Sequence, residues 1–166
     1  MIFVTVGTHE QPFNRLISYV DSLKKNNKVH EKIIIQTGYS TYIPKYCEYK
    51  RLISYDEMKQ YVRMADIVIT HGGPSSFILP IKFGKIPIVV PRLKKYKEHV
   101  NNHQLEFCKF IEQKEKNIIV VEDVTKIESI IKNYNKSYQC GGISRQHTDN
   151  FNKKFESVIN NLFVKN

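Results

Sequence analysis

The sequence lacks most of the features that mark a membrane, secreted or metal-dependent protein. No apolar run approaches the roughly 18 residues that a membrane-spanning helix needs. The first residues, MIFVTVGTHE, carry no basic lead and no small-residue cleavage site, so no signal peptide is expected and the cytoplasm is the default location. Cysteine is scarce: Cys47, Cys108 and Cys140 form neither a CxxC pair nor an even disulfide set, which fits a reducing compartment and structural thiols. There is no Walker A loop and no GxGxxG, which argues against a P-loop NTPase or a dehydrogenase. No HExxH is present either. Acidic residues are few, 16 Asp plus Glu against 26 Lys plus Arg, and the resulting net charge of +10 suits anionic partners such as nucleic acid, lipid headgroups or phosphorylated substrates. The surplus is mostly lysine in a chain also rich in Ile and Asn, a composition that AT-rich coding produces whatever the function. The charge therefore permits anion binding without identifying the anion.

What is present describes one globular domain. A chain of 166 residues, 41% hydrophobic and 25% charged, is long enough for a real core and too short for two independent ones, so residues 1–166 are expected to form a single domain. Apolar runs rich in β-branched residues recur at Ile2 to Val6, Lys32 to Thr37, Asp66 to Thr70, Ile86 to Val90 and Asn117 to Val121. Runs without polar alternation are strands covered on both faces. Helical patterns lie between them at Phe13 to Lys24, Asp56 to Met64, Ser75 to Phe83 and His99 to Glu115, with another near Val124 to Asn135. This alternation predicts an α/β fold with a doubly wound parallel sheet. Tyr39 to Tyr49, aromatic and interrupted by Pro44, reads as a surface loop. Ser137 to Thr148 reads as a break before a last amphipathic helix, Asp149 to Phe163, whose apolar stripe packs on the domain or meets a partner. No internal repeat or low-complexity segment occurs.

Open parallel sheets bind ligands beyond the carboxyl ends of their strands. Gly7-Thr8-His9 follows the first strand, and His71-Gly72-Gly73-Pro74-Ser75-Ser76 follows the third run and leads straight into a helix. Two glycines allow close backbone approach, a helix N-terminus offers free N–H groups, and two serines add hydroxyls: together, a cradle for phosphate. A tight strand-to-helix turn capped by Ser75 explains the same residues equally well.

The motifs Phe3 to Thr8, Ser54-Tyr-Asp-Glu-Met58, Ala65 to Ser76, Gly84-Lys-Ile-Pro-Ile-Val-Val-Pro91 and Asn101-Asn-His-Gln-Leu-Glu106 occur in an order that resembles the C-terminal domain of glycosyltransferase family 28. That domain is the nucleotide-sugar-binding, Rossmann-like half of a GT-B enzyme, and the resemblance covers residues 1 to about 110. In size and pattern the chain is similar to catalytic subunits of two-component transferases, both the small subunit of the dolichol-linked N-acetylglucosamine transferase and bacterial capsule or exopolysaccharide galactosyltransferase subunits. The HGGPSSF and EHVNNHQ wording is most similar to the capsule group.

The resemblance implies that Gly72, Gly73, Ser75 and Ser76, with Pro74 between them, bind a diphosphate while His71 donates to a phosphate oxygen. It implies that Tyr55, in the loop before the Asp56 helix, meets the uracil, and that Gln104 holds sugar hydroxyls beside Asn102 and His103. Tyr55 equally suits a plain loop aromatic. Where related enzymes carry a Glu that holds the ribose, this chain has Leu79, followed by Pro80. Gly7 and Thr8 join the donor site by position, and His9, at the same strand end, is the candidate base for an acceptor hydroxyl, with a structural histidine the competing reading.

His99 and His103, four apart on an expected helix, have the spacing of two metal ligands but no third ligand. No Asp-x-Asp is present, so no metal-bridged diphosphate and no cofactor are expected, and the leaving nucleotide is stabilised by the helix N-terminus, His71 and basic residues. Arg92, Lys94, Lys95 and Lys97 could face the diphosphate or an anionic membrane, or form a solvated loop. The expected function is a metal-independent, inverting UDP-hexose transferase subunit. It would favour UDP-galactose in β-1,4 transfer to a lipid-diphosphate-linked saccharide, at the inner face of the cell membrane through a membrane-anchored partner subunit. A non-catalytic nucleotide-sugar-binding or stabilising subunit is the alternative. A nucleic-acid-binding module, for which no recognition motif is present, ranks third.

Overall fold

The computed structural model describes residues 1–134, so the expected segment Ser137 to Thr148, the helix Asp149 to Phe163 and Cys140 lie outside the described residues. Six strands, β1 (Ile2–Thr5), β2 (Ile33–Gln36), β3 (Glu48–Lys50), β4 (Ile67–His71), β5 (Ile88–Val90) and β6 (Ile119–Val120), form one parallel sheet in the order β3-β2-β1-β4-β5-β6. Helices α1 (Asn14–Lys25), α2 (Tyr55–Met64), α3 (Pro74–Lys82) and α4 (His103–Glu115) lie between strands, β2 and β3 are joined by a loop, and α5 (Ile127–Tyr134) follows β6. This is the doubly wound, Rossmann-like arrangement expected from the sequence.

Each central strand buries both faces, because alternate side chains serve two helical layers. Ile2, Val4, Ile35, Ile69 and Val90 pack with Leu16, Ile17 and Val20 of α1 and Ile127 and Ile131 of α5. On the opposite face Phe3 and Val68 pack with Val62 of α2, and Val89 packs with Phe77 of α3 and Cys108 and Ile111 of α4. Burial raises the thiols of Cys47 and Cys108 to about 12, so both are inert packing groups.

Three boundaries differ from expectation. At the end of the expected loop Tyr39 to Tyr49 and one residue beyond it, Glu48–Lys50 forms the edge strand β3, whose three residues are all exposed and carry no apolar run to betray it. The preceding loop is tied to α1: the buried Asp21 carboxylate accepts from the Lys45, Tyr46 and Cys47 amides and from Tyr42 Oη, each at 2.9 Å. The fourth helix starts at His103 rather than His99: a short 3-10 turn at Lys94–Tyr96 ends at Lys97 in a left-handed conformation (φ 57°), and the residues from there to the Asn102 N-cap are not helical. Finally, Tyr55 is the first residue of α2 and not a loop residue. Ser54 caps that helix, its hydroxyl accepting from the Glu57 amide while the Glu57 carboxylate accepts from the Ser54 amide.

Candidate functional site

The strand order reverses between β1 and β4, and the loops that leave these two strands diverge there, which opens a crevice at their carboxyl ends. Thr5 lies in register with Thr70, so Gly7 and His71 emerge side by side. Gly7 has φ +72°, and a Cβ placed on it would run into the imidazole of His71. A Cβ on Gly73 would meet the same ring from the other side. The glycines thus let backbone close around His71 from two directions.

His71 is buried and fully engaged. Its Nδ1 accepts the Gly73 N–H at 3.0 Å, and Nε2 lies 2.8 Å from Ser76 Oγ. An Nδ1 that accepts places the proton of the neutral ring on Nε2, which therefore donates to Ser76. Burial first, then the charge of Arg92 and the neighbouring His9, push His71 down to about 3, with Gln104 opposing, so the ring is neutral at physiological pH. The expected direct donation from His71 to a phosphate is not available in this arrangement, because neither nitrogen is free. The ring instead fixes the turn from which α3 starts.

Helix α3 begins at Pro74 with Gly73 as its N-cap and no side-chain cap, so Ser75 does not serve as the capping residue. Pro74 has no N–H to satisfy, and Ser75, in the first turn, has an N–H that the helix cannot pair. Ser75 is exposed with its hydroxyl, while Ser76 is held by His71. Leu79 packs against the cluster of Phe3, Ile34, Val62, Ala65 and Val68, so that position supplies no group for a ribose hydroxyl.

Helix α4 delivers Gln104. Its Oε1 accepts from the Arg92 N–H at 3.1 Å, and the side chain lies against Gly72, while Cys108 one turn on donates weakly to Gly72 O at 3.6 Å. With Oε1 so anchored, the carboxamide NH2 is the end left for a ligand. Its two sequence neighbours do not join it. Asn102 is exposed and accepts from the Lys94 amide through Oδ1 at 3.0 Å, and the highly exposed His103 lies 3.4 Å from Glu106. His99 instead faces His9, ring centroids 5.2 Å apart, so His99 and His103 are not a helical metal pair. Among the described residues no group of three or more His, Cys, Asp or Glu could hold a metal. Tyr55 is 68% exposed at the far side of the same sheet end, its ring beneath Lys59 Nζ at 4.8 Å.

His9 and Thr8 are exposed at the mouth of the crevice. His9 Nδ1 accepts the Gln11 N–H at 3.2 Å, which puts the proton of the neutral ring on Nε2. As it stands His9 presents a donor, and taking a proton at Nε2 requires release of the Gln11 contact. Partial burial, then the charges of Arg92 and His99, lower its affinity for a second proton, with Glu10 opposing.

Sequence reasoning named Arg92 within a basic run that could face the diphosphate, an anionic membrane or solvent, but it missed the roles of Arg15, Glu98 and Gln36 in holding this arrangement. Arg92 is not part of a solvated basic loop but is 1% exposed. Its guanidinium donates to Gln11 O at 2.7 Å and Val6 O at 2.9 Å. Arg15 pairs with the buried Glu98 through both carboxylate oxygens at 2.9 Å and fixes the loop after β5. Gln36, at the end of β2, is buried beneath the Gly7 turn. A polar residue at a strand's carboxyl end was the available signal for Gln36.

Comparison with known proteins fits this geometry. The chain is 38% identical over 117 residues to the human (Homo sapiens) UDP-N-acetylglucosamine transferase subunit ALG13, a match covering 65% of this chain and 10% of that protein. It is 34% identical over 121 residues to the mouse (Mus musculus) protein of the same name, covering 64% and 9%. The chain thus spans about a tenth of the length of these curated relatives. Among solved structures it resembles the glycotransferase of kitacinnamycin (TM-score 0.66, 10% identity, 94% of this chain and 39% of that one). It also resembles the glycosyltransferase SnogD from Streptomyces nogalater (TM-score 0.56, 14% identity, 89% and 36%), and at such identities both likenesses speak for the fold. The family model described as "Glycosyltransferase family 28 C-terminal domain" matches residues 1–162, so that nearly the whole chain, cradle and Gln104 included, belongs to the family of glycosyltransferase family 28 C-terminal domains.

Proposed function

We propose that this chain is the donor-binding, catalytic subunit of a UDP-hexose transferase whose active site is completed by a second, membrane-anchored subunit. The observation that carries the reading is the convergence of the Gly72–Ser76 turn, the Gly7 turn and Gln104 at the switch point of the sheet. In this reading the diphosphate lies against the Ser75 N–H and hydroxyl and the Gly72–Gly73 backbone, and Gln104 meets the hexose through its free NH2. Tyr55 borders the base, and Asn102 and His103 lie at the rim. Charge that develops on the leaving UDP is met by N–H dipoles fixed before the reaction, which needs no metal bridge. The acceptor hydroxyl displaces UDP at the anomeric carbon with inversion. His9 is the candidate for the hydroxyl proton in its other neutral tautomer, with the ring proton moved from Nε2 to Nδ1 and the Gln11 contact released, so that the Nε2 lone pair accepts.

The second subunit is proposed because a GT-B enzyme faces two Rossmann-like domains, of which the described residues form one, and because both curated relatives are named as a transferase subunit. In this reading a membrane-anchored partner brings the chain to a lipid-linked acceptor at the inner membrane face. The HGGPSSF and EHVNNHQ wording favours galactose, in β-1,4 linkage, for capsular or exopolysaccharide synthesis. N-acetylglucosamine is the second reading, favoured by the name that the two curated relatives share, UDP-N-acetylglucosamine transferase subunit.

Titration calorimetry with UDP, UDP-galactose and UDP-N-acetylglucosamine, each with and without EDTA, tests the donor site. Binding unaffected by EDTA and stronger for one sugar is expected. Loss of binding in EDTA would overturn the metal-free mechanism. Transfer to a lipid-diphosphate acceptor is then assayed with and without the candidate partner subunit, and full turnover by the chain alone would sink the two-subunit reading.

A further inference from the structure

Arg92 is a cation in an unusual setting. It is buried at 1% exposure, and its hydrogen bonds go to main-chain carbonyls: Gln11 O at 2.7 Å, Val6 O at 2.9 Å and Glu98 O at 3.4 Å. Its Nε is buried with no partner. The nearby Glu98 carboxylate is committed elsewhere, both oxygens to Arg15 and Oε2 also to the Leu93 N–H at 3.1 Å. The guanidinium packs over the Phe13 ring at 4.8 Å, and burial lowers its proton affinity to about 10, which still leaves it charged at physiological pH. The Glu98 carboxylate attracts Arg92 and opposes the effect of burial, but it is bonded to Arg15 instead, and a buried charge with no carboxylate bonded to it is costly, a cost that falls when an anion binds within reach.

We propose that Arg92 is a positioning residue of the donor site: it ties the loop after β1 to the loop after β5 and supplies, from behind the cradle, the positive charge against which an anionic diphosphate is bound. The inference rests on the donor-site reading above and deepens it. Three carbonyls from two loops fix the guanidinium, and the Arg92 N–H fixes Gln104 Oε1 at 3.1 Å, so one residue sets the spacing of His9, the cradle and Gln104. The same charge reaches both histidines of the crevice. His9 faces Arg92 and His99 from the β5 side and Glu10 from its own loop, and His71 faces Arg92, His9, His99 and the Gln104 carboxamide. With these rings neutral and Arg15 paired with Glu98, Arg92 is a fixed, carboxylate-free cation at this end of the sheet, and one charge within reach of the ligand is worth about tenfold in anion affinity.

The test compares UDP with uridine, which lacks the diphosphate, on wild type, Arg92→Met and Arg92→Lys, with histidine nitrogens followed by NMR through a pH titration. Wild-type binding of UDP comes first, and its absence would overturn the donor-site reading on which this one rests. Given that binding, Arg92→Met should weaken UDP by about tenfold while changing uridine by less than about twofold, and should move the His9 titration upward. Arg92→Lys should restore both in large part. Equal losses for UDP and uridine, or a His9 titration unmoved in folded Arg92→Met, would reduce Arg92 to a structural role and overturn the proposal. If Arg92→Met does not fold, the wild type still decides. UDP but not uridine should then raise the titration of His9 and His71, and unmoved titrations with UDP bound would overturn the proposal.

Discussion

Gln36 and Gly7 hold each other by a reciprocal pair of hydrogen bonds: the Gln36 carboxamide donates from Nε2 to Gly7 O at 3.0 Å and accepts the Gly7 N–H at Oε1 at 3.2 Å. Thr5 Oγ1 adds a donation to the same Oε1 at 2.6 Å, and Arg51 O accepts from Nε2 at 3.3 Å. One buried side chain therefore shapes the β1 turn on which the crevice depends.

Replacing Gln36 by leucine keeps the volume of the site while stranding Gly7 O and the Thr5 hydroxyl proton, and leaves the Gly7 N–H only its contact to Thr5 Oγ1 at 3.3 Å. We expect a loss of about 2–3 kcal/mol in unfolding free energy, read from denaturant midpoints. UDP binding should weaken as well, because the Gly7 turn borders His71. A stability within about 0.5 kcal/mol of wild type would show that the turn holds without its clamp.

Three glycines separate steric from conformational cost. Gly7→Ala and Gly73→Ala each drive a methyl into the His71 ring, and Gly7 adds φ +72°, so both should abolish UDP binding and lower the melting temperature. Gly84→Ala meets nothing within 4 Å and carries only the strain of φ +71°, a cost of about 1 kcal/mol with donor binding intact. Thermal melts and calorimetry on the three variants check the order. Equal effects at all three positions would remove the close approach to His71 as the reason for glycine.

His71 links stability to pH. Its folded value is depressed to about 3 from the ordinary 6.5, so the unfolded chain binds this proton more readily than the folded one. Stability is therefore full above about pH 6.5 and declines as the pH falls toward 3. His71→Gln should flatten this part of the profile while lowering stability near neutrality, since the buried ring anchors Gly73 and Ser76. Denaturant unfolding between pH 7 and pH 4 tests this, and a profile unchanged by the substitution would assign the acid loss to other groups.

Gln104→Ala should weaken a UDP-sugar by about 1 kcal/mol more than it weakens UDP, because the NH2 left free by the Arg92 contact points to the sugar role. Ser76→Ala strands the His71 Nε2–H and should weaken both ligands alike. Calorimetry with paired ligands distinguishes the two, and equal losses for Gln104→Ala would place it outside the sugar site.

The sequence by itself determined the layered fold, because five uninterrupted apolar runs separated by amphipathic helices have few other ways to bury their surface, and it marked the Gly-Gly-Pro-Ser-Ser turn because glycine, proline and serine act through local backbone chemistry. It did not reveal β3, since an exposed edge strand such as Glu48-Tyr49-Lys50 needs no apolar pattern, only the neighbouring Ile34 to Gln36 to pair with. Tertiary structure alone decided the roles of the polar residues. His71 turned inward because Gly73 and Ser76 engage both of its nitrogens, and Asn102 and His103 stay exposed at the start of α4, against the Lys94 amide and Glu106 respectively. Arg92 left its basic neighbours for the interior because carbonyls distant in sequence, Val6 and Gln11, converge on it. Periodicity and turn chemistry are local and can be read along the chain, whereas the partner of a buried charge or carboxamide lies tens of residues away and exists only once the sheet has brought the loops together.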